Sequence, residues 1–148
     1  MHGLGQNVMD AVILAAGRGR RLRPLTDTRP KALLPLGVQT VLDRLCTQVA
    51  PHVDRIVIIT SYLGGQIEDH VGAAAKDTPV VYVEQPERRG TADALAQVAD
   101  VVTGPFILLN GDLVVEPAFV ESLIGGSGWS LCVKEVDDPE RYGVVDVD

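Results

Sequence analysis

The sequence predicts an α/β fold in which helices cover both faces of a mostly parallel sheet, a Rossmann-like three-layer αβα arrangement. Residues 10–16 and 55–60 form continuous apolar runs, which are typical of strands buried on both faces. Segments with apolar residues at helical spacing alternate with the strands at the lengths of βαβ units. Right-handed crossovers then bring the loops that follow the strands to one edge of the sheet. We therefore expect a ligand site at that edge.

The first half of the chain supplies three strands and two helices in alternation. After strand 10–16 and a long basic loop, Thr40 is placed to cap a helix. The apolar residues of this helix are Val41, Leu42, Leu45, Cys46 and Val49. Strand 55–60 follows, and the next helix has one apolar face. That face is formed by Ile67, Val71 and Ala74. A third strand is predicted at residues 79–84.

The second half begins with a helix that starts at Thr91. Its inward residues are predicted to be Ala92, Leu95, Val98, Ala99 and Val102. Strand 106–109 follows, and Pro117 suits the first turn of a short helix. Apolar patterns at 129–136 and 143–147 predict two further strands.

Composition excludes two classes of function. Of the 148 residues 46% are apolar, yet no apolar run approaches the roughly 18 residues needed to cross a membrane. We therefore expect a cytoplasmic protein without a membrane partner. The net charge of −7 argues against a general nucleic-acid-binding protein, which needs a basic surface. Lysine supplies only three of the thirteen basic residues, a bias that adaptation to high salt and a GC-rich genome would both produce.

Several residues have no pattern that indicates catalysis. Residues 1–8 lack apolar periodicity and are expected to form a flexible extension, which leaves 9–148 as one domain. Cys46 and Cys132 lie in apolar patterns without metal-ligand spacing, so we expect two buried thiols of a reducing compartment. The three histidines show no partner pattern either, and packing is expected for His2, His52 and His70.

The loop after the first strand carries an unusual concentration of positive charge. Residues 17–31 contain six basic residues and one acid, a net charge of +5 in an otherwise acidic chain. The basic residues are Arg18, Arg20, Arg21, Arg23, Arg29 and Lys31. Such a loop at a strand end favours a polyphosphate ligand, although splaying into solvent or pairing with the many Asp would also separate the charges. Leu22 stands where a dinucleotide fingerprint needs its third glycine, and no Walker A sequence follows.

The whole string from Leu14 to Leu36, L-A-A-G-x-G-x-R-L-x-P-L-T-x-x-x-P-K-x-L-L-P-L, is far more specific than its glycines. It resembles the signature of the sugar-1-phosphate nucleotidyltransferases, which make nucleotide-sugars from an NTP and a sugar phosphate. Molybdopterin-type guanylyltransferases share only a shorter opening. The resemblance continues in family order through Gln85 with 90–92, then 110–112, then 138–145. It therefore covers essentially all of residues 9–148.

The resemblance implies a role for each matching residue. Arg21 and Lys31 match the catalytic cations aimed at the triphosphate, and Asp112 matches a ligand of Mg²⁺, the implied cofactor. Tyr142 and Gly143 lie where the family contacts the sugar. The implied nucleotide-binding residues are Leu14, Ala15, Ala16, Gly17, Gln85, Gly90, Thr91, Asn110 and Gly111. No general base is needed, because the attacking sugar phosphate is already an anion.

One departure from the family bears on function. The family continues to a Glu-Lys-Pro segment that contacts the sugar phosphate and to a second metal-binding Asp, and neither occurs in this sequence. The sequence thus resembles the N-terminal part of such a domain, with a C-terminally incomplete sheet and an exposed edge. That edge leaves homo-oligomerisation open.

The resemblance implies transfer of a nucleotidyl group from UTP or dTTP to glucose-1-phosphate or N-acetylglucosamine-1-phosphate. Guanylyl and cytidylyl members of the family have similar loops, so the choice of base stays open, and a specificity like that of mannose-1-phosphate guanylyltransferases is an alternative. A nucleotide-binding module without catalysis, or an inactive fragment, is a second hypothesis. A third is an interaction protein that pairs through its open sheet edge.

Overall fold

The structure is a computed structural model that describes residues 9–126, 128–141 and 143–145. Its strands are β1 (Asp10–Leu14), β2 (Pro35–Leu36), β3 (Gln39–Thr40), β4 (Arg55–Thr60), β5 (Ala74–Ala75), β6 (Thr78–Glu84) and β7 (Phe106–Asn110). Its α-helices are α1 (Val41–Val49), α2 (Gly64–Val71), α3 (Thr91–Ala96) and α4 (Pro117–Ile124). Short 3-10 helices cover Arg20–Leu22, Lys31–Leu33, Ala50–His52 and Pro139–Arg141. The predicted extension at 1–8 lies outside the described residues.

Five strands form one sheet in the order β5-β6-β4-β1-β7, and β2 and β3 form a separate antiparallel pair. The pairs β6–β4, β4–β1 and β1–β7 are parallel, whereas β5 runs antiparallel to β6. The register places Leu14, the last residue of β1, opposite Ile59 of β4 and Asn110 of β7. The predicted mostly parallel α/β fold is therefore confirmed.

Apolar residues are buried on both faces of the sheet, as the continuous apolar runs predict. Successive residues of a strand point to opposite faces. Ile13 belongs to a larger core that includes Leu42 and Leu45 of α1, and its neighbour Val12 belongs to a smaller core with Ala94 of α3. The sheet is thus the middle of three layers, as expected.

Helix α1 begins with a reciprocal capping box, which confirms Thr40 as its cap. The Thr40 hydroxyl accepts from the Asp43 backbone N at 3.1 Å, and the Asp43 carboxylate accepts from the Thr40 backbone N at 2.9 Å. His70 of α2 also contacts Asp43, at 2.9 Å. Burial raises the pKa of Asp43, but the hydrogen bonds to His70 and Thr40 outweigh it and leave the pKa below its usual value. His70 thus has a structural partner.

Two predicted helices are shorter than expected. Helix α2 ends at Val71, and Ala74 lies in β5, which turns back into β6 through Lys76 and Asp77. Both of these residues have positive φ, as a tight hairpin requires. Helix α3 ends at Ala96 and continues as turns. The predictions of inward side chains at Ala92 and Ala99 are therefore wrong, since both residues are exposed.

The strands predicted at the C-terminal end are not formed among the described residues. Residues 129–136 and 143–145 have no regular structure, and positions 146 and 147 lie outside the described range. Trp129 is fully exposed. A strand needs a paired neighbour for its backbone, and the outer edge of β7 is not paired with residues 129–136. Cys132 is consequently exposed, so the prediction that both thiols are buried holds only for Cys46.

Among the described residues, no helix has both the length and the apolar character to cross a membrane.

An ion pair joins the amino ends of β1 and β4, at the opposite end of the sheet from the expected site. Asp10 is only 3% exposed and accepts from the Arg55 guanidinium at 3.0 and 2.6 Å. The same guanidinium donates to the Val101 carbonyl at 2.9 Å. The hydrogen bond to Asp10 raises the pKa of Arg55 above its usual value. This cluster ties two strands to the turn that follows α3.

We expect Asp10→Ala to lower the free energy of unfolding by roughly 1.5–3 kcal/mol. The substitution removes two charged hydrogen bonds and leaves the half-buried Arg55 without its carboxylate partner. Urea denaturation followed by circular dichroism measures this loss. Asp69→Ala removes an exposed carboxylate from α2 and serves as the control. Equal stability of the two variants would show that the ion pair contributes nothing measurable.

The two thiols should differ sharply in reactivity. Burial raises the pKa of Cys46 to about 12, so almost no thiolate exists at neutral pH, whereas Cys132 is open to reagents. Ellman's reagent should titrate one thiol in the native protein and both in guanidinium chloride. Cys132→Ser should abolish the native signal, and a fast native reaction in that variant would contradict the described packing of Cys46.

Candidate functional site

A cleft of about 950 Å³ lies at the carboxyl ends of the parallel strands. Three loops that follow β1, β6 and β7 meet there, as the topology predicts. Most of the residues singled out from the sequence line this cleft: Leu14, Ala15, Ala16, Gly17, Arg21, Lys31, Gln85, Gly90, Thr91, Asn110, Gly111 and Asp112. Gly143 is not part of this lining, and Tyr142 lies outside the described residues. The cleft thus gathers the residues predicted to bind the nucleotide and the metal, and the one predicted sugar contact that the structure describes lies outside its lining.

The floor of the cleft is backbone held in close contact. The Ala15 backbone N donates to the Ile59 carbonyl, and the Gly111 backbone N donates to the Leu14 carbonyl, each at 2.8 Å. A Cβ atom at Gly111 would stand 2.8 Å from the Leu14 oxygen and 3.3 Å from the Ala15 Cβ. Glycine is therefore required at position 111 by packing alone, whatever else it contacts.

The basic loop folds back on itself around Gly19. This residue has a φ of +60°, and its carbonyl accepts from the buried Thr26 hydroxyl at 2.9 Å. A Cβ at Gly19 would come within 3.1 Å of the Lys31 Cβ. The missing side chain of Gly19 thus lets Lys31 pack against the start of the loop.

The segment between β4 and α2 holds the basic loop from outside. The Tyr62 hydroxyl donates to the Asp27 carbonyl at 2.7 Å, and the Gln66 amide donates to the Thr28 carbonyl at 3.1 Å. The Arg18 guanidinium lies over the Tyr62 ring, 4.8 Å from its centroid. Sequence reasoning gave Tyr62 and Gln66 no role, because nothing in their local pattern indicates a partner more than thirty residues away.

The charged groups of the cleft are unequally paired. Lys31 Nζ donates to Asp112 Oδ2, an ion pair that joins the loop after β1 to the loop after β7. Arg21 has no ion pair or side-chain hydrogen bond to any residue that the structure describes. Arg23 instead pairs with Asp27 at 3.1 Å, away from the cleft lining. An anionic ligand would satisfy the excess positive charge.

Sequence reasoning missed part of this charge. Three arginines line the cleft without having been assigned a role in binding: Arg18, Arg20 and Arg88. The first two belong to the basic loop, whose net charge favours a polyphosphate, and Arg88 lies in the loop after β6, three positions after the assigned Gln85. Proximity in sequence to assigned residues was the signal that could have found Arg88.

Asp112 is the carboxylate of the cleft that could hold a metal ion. No group of three or more His, Cys, Asp or Glu side chains suited to a metal occurs within the described ranges. Mg²⁺ commonly binds through one or two carboxylates, retained waters and substrate phosphates, so a single Asp in a cleft lined by basic side chains fits it. Lys31 contacts Oδ2 of Asp112, which leaves Oδ1 available.

Gln85 follows β6 and is 3% exposed, although it borders the cleft. Its backbone N donates to the Thr60 carbonyl at 2.8 Å, which continues the pairing of β6 with β4. Its side-chain Nε2 donates to Asp93 Oδ2 at 2.7 Å and to the Gly90 carbonyl at 3.2 Å. The polar side chain is thus fixed by the loop and helix that follow it.

Comparison with protein families gives one match across almost the whole chain. Residues 10–148 match the family model described as nucleotidyl transferase. The bifunctional protein GlmU of Methanocaldococcus jannaschii is 38% identical over 141 residues, which cover 95% of this chain and 33% of GlmU. The UTP–glucose-1-phosphate uridylyltransferase AglF of Haloferax volcanii is 34% identical over 92% of this chain and 59% of its own length. The chain thus spans a third to about three fifths of these relatives.

A solved structure agrees with the fold. It is a Bacillus anthracis protein, provisionally assigned as a glucose-1-phosphate thymidylyltransferase, in complex with sucrose. The two chains share 28% identity with a TM-score of 0.77, and the alignment covers 95% of this chain and 61% of the other. The resemblance inferred from the motif string is confirmed by these matches.

The close contact at Gly111 predicts that Gly111→Ala lowers the free energy of unfolding by about 1–3 kcal/mol, because the added methyl group has no room. Gly65→Ala is the matched control, since a Cβ there meets nothing within 4 Å and alanine favours the helix. Urea denaturation should show a loss for the first variant and equal or greater stability for the second. Equal stability at both positions would contradict the described packing of the cleft floor.

Proposed function

Because the chain belongs to the nucleotidyl transferase family, we propose that it transfers a nucleotidyl group from UTP or dTTP to a sugar 1-phosphate, with release of pyrophosphate. One observation carries the proposal: Lys31 and Asp112, which the resemblance assigns to the triphosphate and the metal, are in contact across two strand ends. They border the same cleft as Arg21. The assigned groups therefore share one site.

In the proposed reaction, a phosphate oxygen of the sugar 1-phosphate attacks the α-phosphorus of the NTP. A new phosphorus–oxygen bond forms while the bond from the α-phosphorus to the bridging oxygen breaks, and pyrophosphate departs with that oxygen. No proton has to be removed from the nucleophile. The protein must instead position two anions and neutralise their charge.

The residues of the cleft suit this task. Arg21 and Lys31 would bind the triphosphate, and the backbone of 14–17 would lie close to the nucleotide because small or absent side chains allow it. Asp112 would hold Mg²⁺, which supplies charge neutralisation at the phosphates. Arg18, Arg20 and Arg88 add positive charge around the same space.

The substrates proposed here follow the loop after β6 and the similar proteins. Gln85, Gly90 and Thr91 would read the base, and the names of the relatives point to uracil or thymine nucleotides. Glucose-1-phosphate and N-acetylglucosamine-1-phosphate are the proposed acceptors, and Tyr142 and Gly143 are the proposed sugar contacts. A guanylyltransferase specificity for mannose-1-phosphate is the alternative. These soluble substrates and products suit an enzyme of the cytoplasm, and the open edge of β7 suits a homo-oligomer.

A second candidate function is nucleotide binding without transfer. It is favoured by the observation that Gly143, a predicted sugar contact, is not part of the cleft lining. Such a module would bind a nucleotide with Mg²⁺ through Arg21 and Lys31 and would not turn over.

Pyrophosphate release should be measured for four NTPs against a panel of sugar 1-phosphates. We expect turnover with UTP or dTTP, and a loss of at least about a hundredfold in kcat for Asp112→Asn and for Lys31→Met, because each removes charge stabilisation of the transition state. Asp69→Asn on the exposed face of α2 should behave as the unaltered protein.

Calorimetry with the same nucleotides separates the two candidate functions. Binding without turnover would support the non-catalytic module, and absence of both binding and turnover would contradict both candidates. Turnover that is unchanged in Asp112→Asn would refute the role proposed for this residue.

A further inference from the structure

We propose that Asp93 fixes the side-chain amide of Gln85 so that it offers only a hydrogen-bond acceptor to the nucleobase. The cleft would then select bases with an imide N–H, such as uracil and thymine, against cytosine. Asp93 is a positioning residue in this proposal, since it acts through Gln85. The inference rests on the proposed function in one respect, that a nucleotide occupies the cleft with its base near Gln85.

The side-chain amide of Gln85 has one favoured orientation. Its two neighbours on one side are the Asp93 carboxylate at 2.7 Å and the Gly90 carbonyl at 3.2 Å. An ionised carboxylate and a carbonyl can only accept hydrogen bonds, so the NH₂ end of the amide must face both. The reversed amide would place Oε1 against two other acceptors in a buried site and would lose both bonds. The chemistry of the partners therefore fixes the orientation.

The side-chain oxygen of Gln85 is left without a hydrogen-bond partner in the described part of the chain. Oε1 of Gln85 has no hydrogen-bond partner among residues 9–126, 128–141 and 143–145, although the residue is 97% buried. Oε1 is not one of the fully buried, unpaired polar atoms of the described residues, so it keeps some accessible surface. A ligand that places a donor against this sparsely hydrated oxygen gains a hydrogen bond. Because Gln85 also borders the cleft, a bound base is the partner that the position favours.

The Gln85 oxygen, a hydrogen-bond acceptor, suits uracil and thymine better than cytosine. Uracil and thymine carry an N–H donor at position 3, whereas cytosine has an acceptor there. Cytosine would therefore set two acceptors against each other, a repulsive arrangement that excludes the wrong ligand. A site whose buried polar group is left unpaired by the wrong substrate discriminates strongly.

Asp93 itself is held in place by the start of α3. Gly90, with a φ of +108°, precedes the helix, and its carbonyl accepts from the Ala94 backbone N at 3.1 Å. The Asp93 carbonyl accepts from the Gln97 amide at 3.2 Å. Ala94 is buried against the sheet. The helix therefore fixes the backbone of Asp93 independently of Gln85.

The test compares the dissociation constants of UTP and CTP, measured by calorimetry in Mg²⁺. These nucleotides share the triphosphate and the ribose and differ only on the edge of the base. The unaltered protein should prefer UTP by at least about tenfold, the value of one hydrogen bond. Asp93→Asn should reduce the preference to within about threefold. An amide at position 93 can donate as well as accept, so only the longer contact with the Gly90 carbonyl is left to orient Gln85.

A charge-balanced exchange tests the mechanism directly. In the double variant Gln85→Glu/Asp93→Asn, the introduced carboxylate accepts from the introduced amide and again presents an acceptor to the base. It gives up the longer hydrogen bond to the Gly90 carbonyl, which lowers the affinity for both nucleotides alike. The preference for UTP should return to at least about tenfold, although the net charge is that of the unaltered protein. Asp100→Asn removes an exposed acid of the same region and should leave the preference unchanged.

Several results would overturn the inference. One is an equal loss of UTP and CTP affinity in Asp93→Asn, which indicates that Asp93 only supports the helix; another is a double variant that stays unselective. Circular dichroism verifies folding, and if Asp93→Asn does not fold, Gln85→Met takes its place. Gln85→Met removes the acceptor at similar volume and should lose the preference, so a preference retained in that variant overturns the inference.

The measurements distinguish failure of this inference from failure of the proposed function. A protein that prefers UTP in this way but releases no pyrophosphate with any sugar phosphate supports the inference and refutes nucleotidyl transfer. A protein that binds neither UTP nor CTP overturns both.

Discussion

The parallel pairing of β1 on both sides is the constraint on which the rest of the structure depends. Ala11, Val12 and Ile13 have no exposed surface, since α-helical layers cover both faces and neighbouring strands cover both edges. The register ends β1 level with its neighbours, at Leu14 opposite Asn110. The loops after β1 and β7 therefore start side by side, and the Lys31–Asp112 contact follows from that alignment. A slip of one residue in either pairing would separate the charged groups of the cleft.

The sequence predicts most of this arrangement because the signals are local. A continuous apolar run is enough to indicate β1 or β4, and Thr40 with Asp43 is enough to mark the start of α1. The parallel topology then brings the strand ends together without knowledge of any side chain. The motif string identifies the cleft lining for the same reason, since Lys31 and Asp112 each stand at a fixed place relative to a strand end. Their direct contact is a tertiary fact that the sequence left open.

Features that depend on partners far away in the chain were missed. An apolar pattern at 129–136 is ordinary for a strand, but a strand also requires that its backbone pair with a neighbouring strand, and no local pattern reports that pairing. Exposure of Cys132 follows from the same cause. The contact of Tyr62 with the basic loop is likewise not visible in the sequence. The hydrogen bond between Gln85 and Asp93, only eight residues apart, is missed for another reason, since an aspartate near a helix start has common structural uses. The burial and the hydrogen-bond partners of a side chain, which the structure shows, distinguish such contacts from the common structural uses.

The Asp10–Arg55 pair, which stabilises the fold, lies far from the residues assigned to ligand binding. It lies at the amino ends of β1 and β4, whereas the residues assigned to the nucleotide and the metal line the cleft at the carboxyl ends of the parallel strands. Six residues of extended strand span about 20 Å, beyond the range over which salt-screened charges act. Substitutions at one end can therefore alter the thermal stability of the fold while the ligand preferences at the other stay as they are. Proteins of this fold can therefore change in their stability toward temperature or salt while the ligand preference of the cleft is kept.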